Sequence, residues 1–246
     1  MTAVEFADPE RGIFGTLRSS GAAVLFDHEV VLGAAAEADA DLDAEGGRTT
    51  ANVELNGNSL RLELAPIGVP LDLRGERLGA VTLRVCQAIG ELRREGQAQP
   101  LSGLAVQREV RTAEDAAANS LTRSIAIAFA DGGLLAAHAA RPAGAEHGDE
   151  EVVAAIAEPS GEITEVREPL LSTQYDAAGH HVRASLELWP EADAEPRPPL
   201  RASGSIVCGT SLEVGGRRLE VAFFRWAMDG RPGLGGYEVL ASPHGD

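Results

Sequence analysis

Short runs in which apolar and polar residues alternate recur along the chain, each closed by turn-forming residues. Such period-2 runs, rich in β-branched residues, predict half-buried strands. Thr49–Leu55 and Ser59–Leu64 flank Asn56-Gly57-Asn58, and Asn-Gly between alternating runs is the strongest local hairpin signal. Ser124–Ala130 and Leu134–Ala140 flank Asp131-Gly132-Gly133. Ile163–Gln174 and His181–Trp189 flank Asp176-Ala177-Ala178-Gly179. Ser205–Val214 and Arg218–Met228 flank Gly215-Gly216, and a turn opening with Asp229-Gly230 separates Phe223–Met228 from Gly235–Leu240. Counted this way, the chain holds roughly a dozen strands or more.

Helical periodicity is scarce. Thr112–Asn119 offers a threonine N-cap with Asp115 three residues on, which predicts one short helix. Ala34–Ala44 is rich in alanine but interrupted by acids, and Cys86–Arg94 fits either a helical turn or a strand end. Asp39–Gly47, Arg141–Glu151 and the proline-rich Pro190–Pro199 read as loops. Many antiparallel strands with short turns predict an all-β barrel or sandwich.

The 246 residues allow one large β domain or two small ones, and a chain of this length buries roughly three quarters of its unfolded surface without disulfides or a structural metal. Cys86 and Cys208 lie outside any metal-binding or redox spacing and read as reduced core thiols. The net charge of -17 and the 4% aromatic content argue against nucleic acid as a partner. No basic run suits an anionic membrane, and no apolar run reaches the ~18 residues of a spanning helix. The first residues carry neither a basic stretch nor an apolar core, so no signal peptide is expected and the cytoplasm is the expected compartment.

Most chemical signatures fail. There is no P-loop and no G-x-G-x-x-G between a strand and a helix, and Gly209-Thr210-Ser211-Leu212-Glu213 misses the second glycine of a nucleophile elbow. Asp39, Asp41, Asp43 and Glu45 open like a calcium loop, but Ala44 and Thr50 replace its glycine and its last glutamate. His180 and His181 are adjacent and point to opposite faces of a strand. No metal and no cofactor is expected. What remains is the final hairpin, Glu220–Glu238, whose first strand puts Val221, Phe223 and Arg225 on one face and Phe224, Trp226 and Met228 on the other. If Met228 pairs with Gly235, Arg225 lies opposite Glu238. That pair reads either as a buried structural ion pair or as a charged pair on a pocket floor. Tyr175, His181, Glu187 and Trp189 sit on long strands able to line a barrel.

Three segments, in order, carry a likeness to a known superfamily: Phe6-Ala7-Asp8-Pro9-Glu10-Arg11-Gly12, the hairpin from Tyr175-Asp176-Ala177-Ala178-Gly179 to Leu186-Glu187-Leu188, and Arg225–Glu238. In these the chain resembles the two-half, lipocalin-like superfamily of the carotenoid 1,2-hydratases and their actinobacterial relatives. The resemblance implies two β-barrel-like halves packed together, here residues 1–105 and 106–246, around apolar ligands, with acid chemistry on alkenes in hydratases and terpene cyclases. The chain departs from that pattern at mid-length. Where the family motif reads roughly Arg-Asp-His-x-Trp-Gly, this sequence has Arg108-Glu109-Val110-Arg111-Thr112-Ala113, which keeps the charges and loses the histidine and tryptophan.

The expected ligand is a small hydrophobic molecule, isoprenoid- or polyketide-like, in an apolar β-barrel pocket. Glu109 and Glu238 are the candidate acids, with Glu109 suited to the task if burial raises its pKa. Arg108 and Arg225 are candidate polar contacts, and Trp226 and Tyr175 candidate walls. A cofactor-independent lyase, isomerase or cyclase is one expectation. A non-catalytic carrier and a protein–protein interaction module are the others, the last marked by an exposed apolar patch.

Overall fold

The computed structural model describes residues 1–45, 48–111, 119–190 and 198–242. Ten strands form the N-terminal half: β1 (Thr2–Asp8), β2 (Ile13–Arg18), β3 (Ala23–Asp27), β4 (Val30–Ala35), β5 (Asp39–Glu45), β6 (Arg48–Leu55), β7 (Asn58–Pro66), β8 (Leu71–Gly75), β9 (Gly79–Arg94) and β10 (Gln97–Arg111). They make one antiparallel sheet in the order β4-β3-β2-β1-β10-β9-β7-β6-β5, with β8 on the remaining edge of β9. The sheet wraps round a core that includes Val4, Phe6, Leu17, Leu25, Val53, Leu62 and Leu92. Its two end strands are not hydrogen-bonded to each other, so this half stays open.

Eight strands close the second half into a barrel: β11 (Asn119–Phe129), β12 (Leu134–Pro142), β13 (Glu151–Ala157), β14 (Ile163–Tyr175), β15 (His181–Pro190), β16 (Leu200–Val214), β17 (Arg217–Met228) and β18 (Arg231–Ala241). The barrel closes where β11 pairs with β18. At eight strands the lumen is just wide enough for side chains to fill. Ile125, Phe129, Leu135, Phe224, Trp226, Met228 and Tyr237 fill it here.

Burial shows where the halves meet. β6 and β7 alternate buried and open positions, as a sheet with one wet face must. β1, β2 and β12 are buried on both faces. Their second faces lie against the other half, where two mixed cores form. One joins Phe14, Val24 and Phe26 to Leu219, Val221 and Phe223; the other joins Leu83, Val85 and Val106 to Ala126, Ala128 and Ala136. The alanines of β11 and β12 let the two sheets approach closely.

Several expectations change. Asp39–Gly47 is not a loop up to Glu45: Asp39–Glu45 is β5, paired residue by residue with β6. Cys86–Arg94 is strand, because both edges of β9 are taken by neighbours. Arg141–Glu151 holds a single 3-10 turn at His147–Asp149. The expected helix Thr112–Asn119, apart from Asn119, lies outside the described residues, as does most of Pro190–Pro199. The first sheet runs through Arg111, so the division at residue 105 falls inside β10. In the last hairpin Met228 pairs with Arg231, not Gly235, and Arg225 with Leu234. Asp229 and Gly230 both take positive φ, 48° and 85°, and close a two-residue turn at once. Pro232 is tolerated there because β11 starts to pair with β18 only at Gly233.

Candidate functional site between the two halves

Register alone assembles a polar cluster on the interface. In the N-terminal sheet Ala3 of β1 pairs with Arg18 on one side and Arg108 on the other, so Arg18 and Arg108 flank it in one row. In the barrel Ser124 of β11 pairs with His138 on one side and Glu238 on the other. The two rows face each other. Arg18 Nη2 donates to Glu238 Oε2 at 2.6 Å, and Arg108 donates to both Glu238 Oε2 and Ser124 Oγ. One row further along, Glu5, between Thr16 and Val106, faces Gly236. A Cβ at Gly236 would lie 2.3 Å from Glu5 Oε2, so a larger residue there would make that carboxyl shift.

All of these ionic side chains are buried, and their burial splits the two acids. Burial alone would push both carboxyls up. For Glu238 the guanidiniums of Arg108 and Arg18 outweigh that cost and hold it well below the usual carboxylate range. Glu5 has only Arg108 within ion-pair reach, at 3.3 Å, and also feels the charge of Glu238. Desolvation prevails there and its pKa rises to about 7. Its Oε2 has no hydrogen-bond partner among the described residues. His138 is pushed down to about 3, first by burial and then by Arg108, and is neutral. Its Nε2 lies 3.3 Å from Ser124 Oγ. Arg108 occupies a lone pair of that hydroxyl, so the Ser124 proton is free to go to Nε2, and the ring then carries its own proton on Nδ1.

Cavities lie on both sides of this cluster. One of about 490 Å³ is lined by Ala7, Pro9, Leu104, Ala128, Arg225 and Leu234, among others. A void of about 20 Å³ shares Ala7, Leu104, Ala128 and Leu234 with it and reaches Glu5. On the far side a cavity of about 160 Å³ is lined by Arg18, Arg108, Ser124, His138 and Glu238, among others. These spaces lie between the halves; the barrel lumen, where an apolar pocket is expected, is packed with side chains.

The residues singled out in the sequence separate accordingly. Arg108 and Glu238 meet in the cluster. Arg225 lines the large cavity, but Glu238 stands opposite Val221, so the expected Arg225–Glu238 pair does not form. The two-residue turn sets that register. Glu109 is exposed: the strand pleat turns it away from the face that carries Arg108, so the expected burial is missing. Trp226 is buried in the lumen, and Tyr175 is 51% exposed at a strand end rather than a pocket wall. Glu5, Arg18, Ser124 and His138 escape sequence reading, because no motif marks them and a single polar residue in a strand normally faces water. The one available signal is that Val4 and Phe6 flank Glu5 on one side of the pleat while Ala3 and Ala7 share its own.

Fold and site together define a class: two lipocalin-like halves with a polar cluster and cavities at their junction. Comparison with known proteins agrees on the fold. A putatively assigned AttH from Nitrosomonas europaea superposes with a TM-score of 0.70 at 16% identity, covering 98% of this chain and 91% of that one. Kievitone hydratase from Nectria haematococca gives 0.61 at 10% identity, covering 98% and 88%. CghA, solved with Sch210972, gives 0.64 at 10% identity, covering 98% and 89%. The likeness is one of architecture: two β halves packed together. No protein-family model and no curated sequence matches the chain.

Proposed function

We propose that the chain binds a small, mostly apolar molecule in the cavity between its halves and that Glu5 donates a proton to it. The reaction class is then a lyase, isomerase or cyclase that works without a cofactor. One observation carries this reading: a buried carboxyl, with one oxygen unpaired and its pKa raised to about 7, lines a small void that adjoins the cavity of about 490 Å³ between the halves. A carboxylic acid kept neutral near pH 7 is what protonation of an alkene or an enol requires. The neighbouring Glu238, held ionised by two guanidiniums, fixes Arg108 beside Glu5, and the proton returns to Glu5 when the product forms. Kievitone hydratase, which shares the fold, is by its name an enzyme of this reaction type.

The test begins with native mass spectrometry of the protein from its own host and organic extraction of what it carries. The expected species is an apolar metabolite. An empty protein that also ignores hydrophobic fluorescent probes would overturn the cavity reading. With the ligand in hand, Glu5→Gln is expected to lower turnover at least 100-fold and to change binding by less than a few fold. Unchanged turnover removes Glu5 from the reaction. A ligand that the wild-type protein binds and never converts makes the chain a carrier.

A further inference from the structure

We propose that the second cavity, on the far side of the ionic cluster, is a binding site for an oxyanion: the carboxylate or phosphate of a small molecule. The chain carries 38 acidic residues against 21 basic ones, and every basic residue is an arginine. Yet five of those arginines, Arg18, Arg77, Arg108, Arg123 and Arg217, line a space of about 160 Å³ whose lining includes only one carboxylate, Glu238.

The charges there do not balance. Arg123 is neutralised by Glu150, and Arg18 and Arg108 share Glu238. Among the described residues, the guanidiniums of Arg77 and Arg217 have no carboxylate within 4.0 Å, although Glu151 accepts from the backbone N–H of Arg77 at 2.8 Å. Arg77 donates to the carbonyl of Asp149 at 3.4 Å, and Arg217 to those of Asn119 and Leu240 at 3.2 and 3.3 Å. These carbonyls hold the guanidiniums in place without cancelling their charge. Arg217 is half-buried, and desolvation lowers its pKa. The buried Nε–H groups of Arg18, Arg108 and Arg217 have no acceptor.

Arg77 reaches solvent, but leaving the half-buried Arg217 and the buried Nε–H groups uncompensated is costly. A bound oxyanion offsets that cost, because guanidinium forks match carboxylate and phosphate oxygens. The hydroxyls of Thr122 and Ser124 add neutral donors on the same wall. The apolar side chains of Leu78, Val81, Val110 and Leu240 complete it, so the anion belongs to a molecule with some hydrocarbon rather than to a bulk salt.

Isothermal titration calorimetry with inorganic phosphate and with octanoate, each against sodium chloride of equal ionic strength, tests this without any turnover assay. A protein of net charge -17 repels anions overall, so saturable binding reports a local site. Binding of either probe is expected, and whichever binds more tightly identifies phosphate or carboxylate as the source. The double variant Arg77→Gln/Arg217→Gln is expected to weaken it at least tenfold. Should that variant fail to fold, Arg77→Gln alone, at an exposed position, is expected to weaken it severalfold. Failure of both probes to bind the wild-type protein, or undiminished binding by a folded variant, overturns the proposal. This cavity is not the one that holds the apolar ligand, so the outcome is separable from that of Glu5→Gln.

Discussion

Two buried polar clusters stand about one barrel wall apart, and they differ in what they leave unfinished. Inside the lumen, His181 Nε2 donates to the Tyr237 carbonyl at 3.0 Å and Nδ1 meets Glu220 Oε2 at 3.0 Å. The ring stacks on Phe224, and Glu220 also takes Arg218 at 2.8 Å. Every polar atom of the imidazole is used, and none of the cavities between the halves touches it. At the junction, Glu5 keeps an oxygen unpaired and a proton it would lose in water. Both clusters are buried and charged, so burial of charge by itself marks no site. The lumen cluster too has unpaired atoms, the Nε–H of Arg218 and the Nε1–H of the neighbouring Trp226; what distinguishes the junction is that its unpaired group, Glu5, stands next to open space.

The sharpest way to break the comparison is Arg108→Met. It leaves Glu238 with Arg18 alone and Glu5 with no cation in reach, and the loss is expected to be about 3–5 kcal/mol by urea denaturation. Adding Glu238→Gln is expected to restore part of it. In the lumen, His181→Leu strands Glu220 and the Tyr237 carbonyl and is expected to cost about 1–3 kcal/mol while leaving ligand affinity in the junction unchanged. A comparable loss of affinity would show the two clusters to be coupled.

A smaller, pH-dependent effect separates the two acids of the junction. Glu5, raised from 4.5 to about 7, holds in the fold a proton that the unfolded chain releases. Its contribution is fully present below pH ~4.5 and is lost as the pH rises through about 7. Glu238 works the other way, stabilising above its unfolded value and failing only in strong acid. Glu5→Gln removes the first titration and spares the second. Its stability relative to wild type is therefore expected to improve by on the order of 1–3 kcal/mol between pH 5 and pH 8. A flat difference would mean that Glu5 titrates normally. The least effect is expected from Glu109→Gln, within ~0.5 kcal/mol and with no change in turnover, because its side chain is in solvent.

Much of the fold is legible in the residues. Hairpins at Asn56-Gly57, Gly215-Gly216 and Asp229-Gly230 follow from residues that tolerate positive φ, and all three turns adopt it. The strands follow from period 2, and the two-half arrangement from short segments in order. Less of the site is legible. Arg108 and Glu238 stand out in the sequence as charges on strands, but so does Glu109, and a turn pairing Met228 with Gly235 puts Arg225 opposite Glu238. Register decides between them, and a shift of a few residues in one hairpin reassigns every cross-strand neighbour.

Local pattern thus determined that this chain is built of antiparallel strands, which residues turn it, and which faces are apolar, because those properties depend on neighbours in sequence. Only the tertiary structure decided which polar residues lose water. Glu5, Arg18, Arg108, Ser124, His138 and Glu238 lie on six strands of two different sheets, and each is ordinary on the outer face of its own. Packing one sheet on the other buries five of the six and half-buries Ser124; the resulting desolvation, which no single strand can encode, makes Glu5 an acid, while the guanidiniums of the facing sheet keep its neighbour Glu238 an anion.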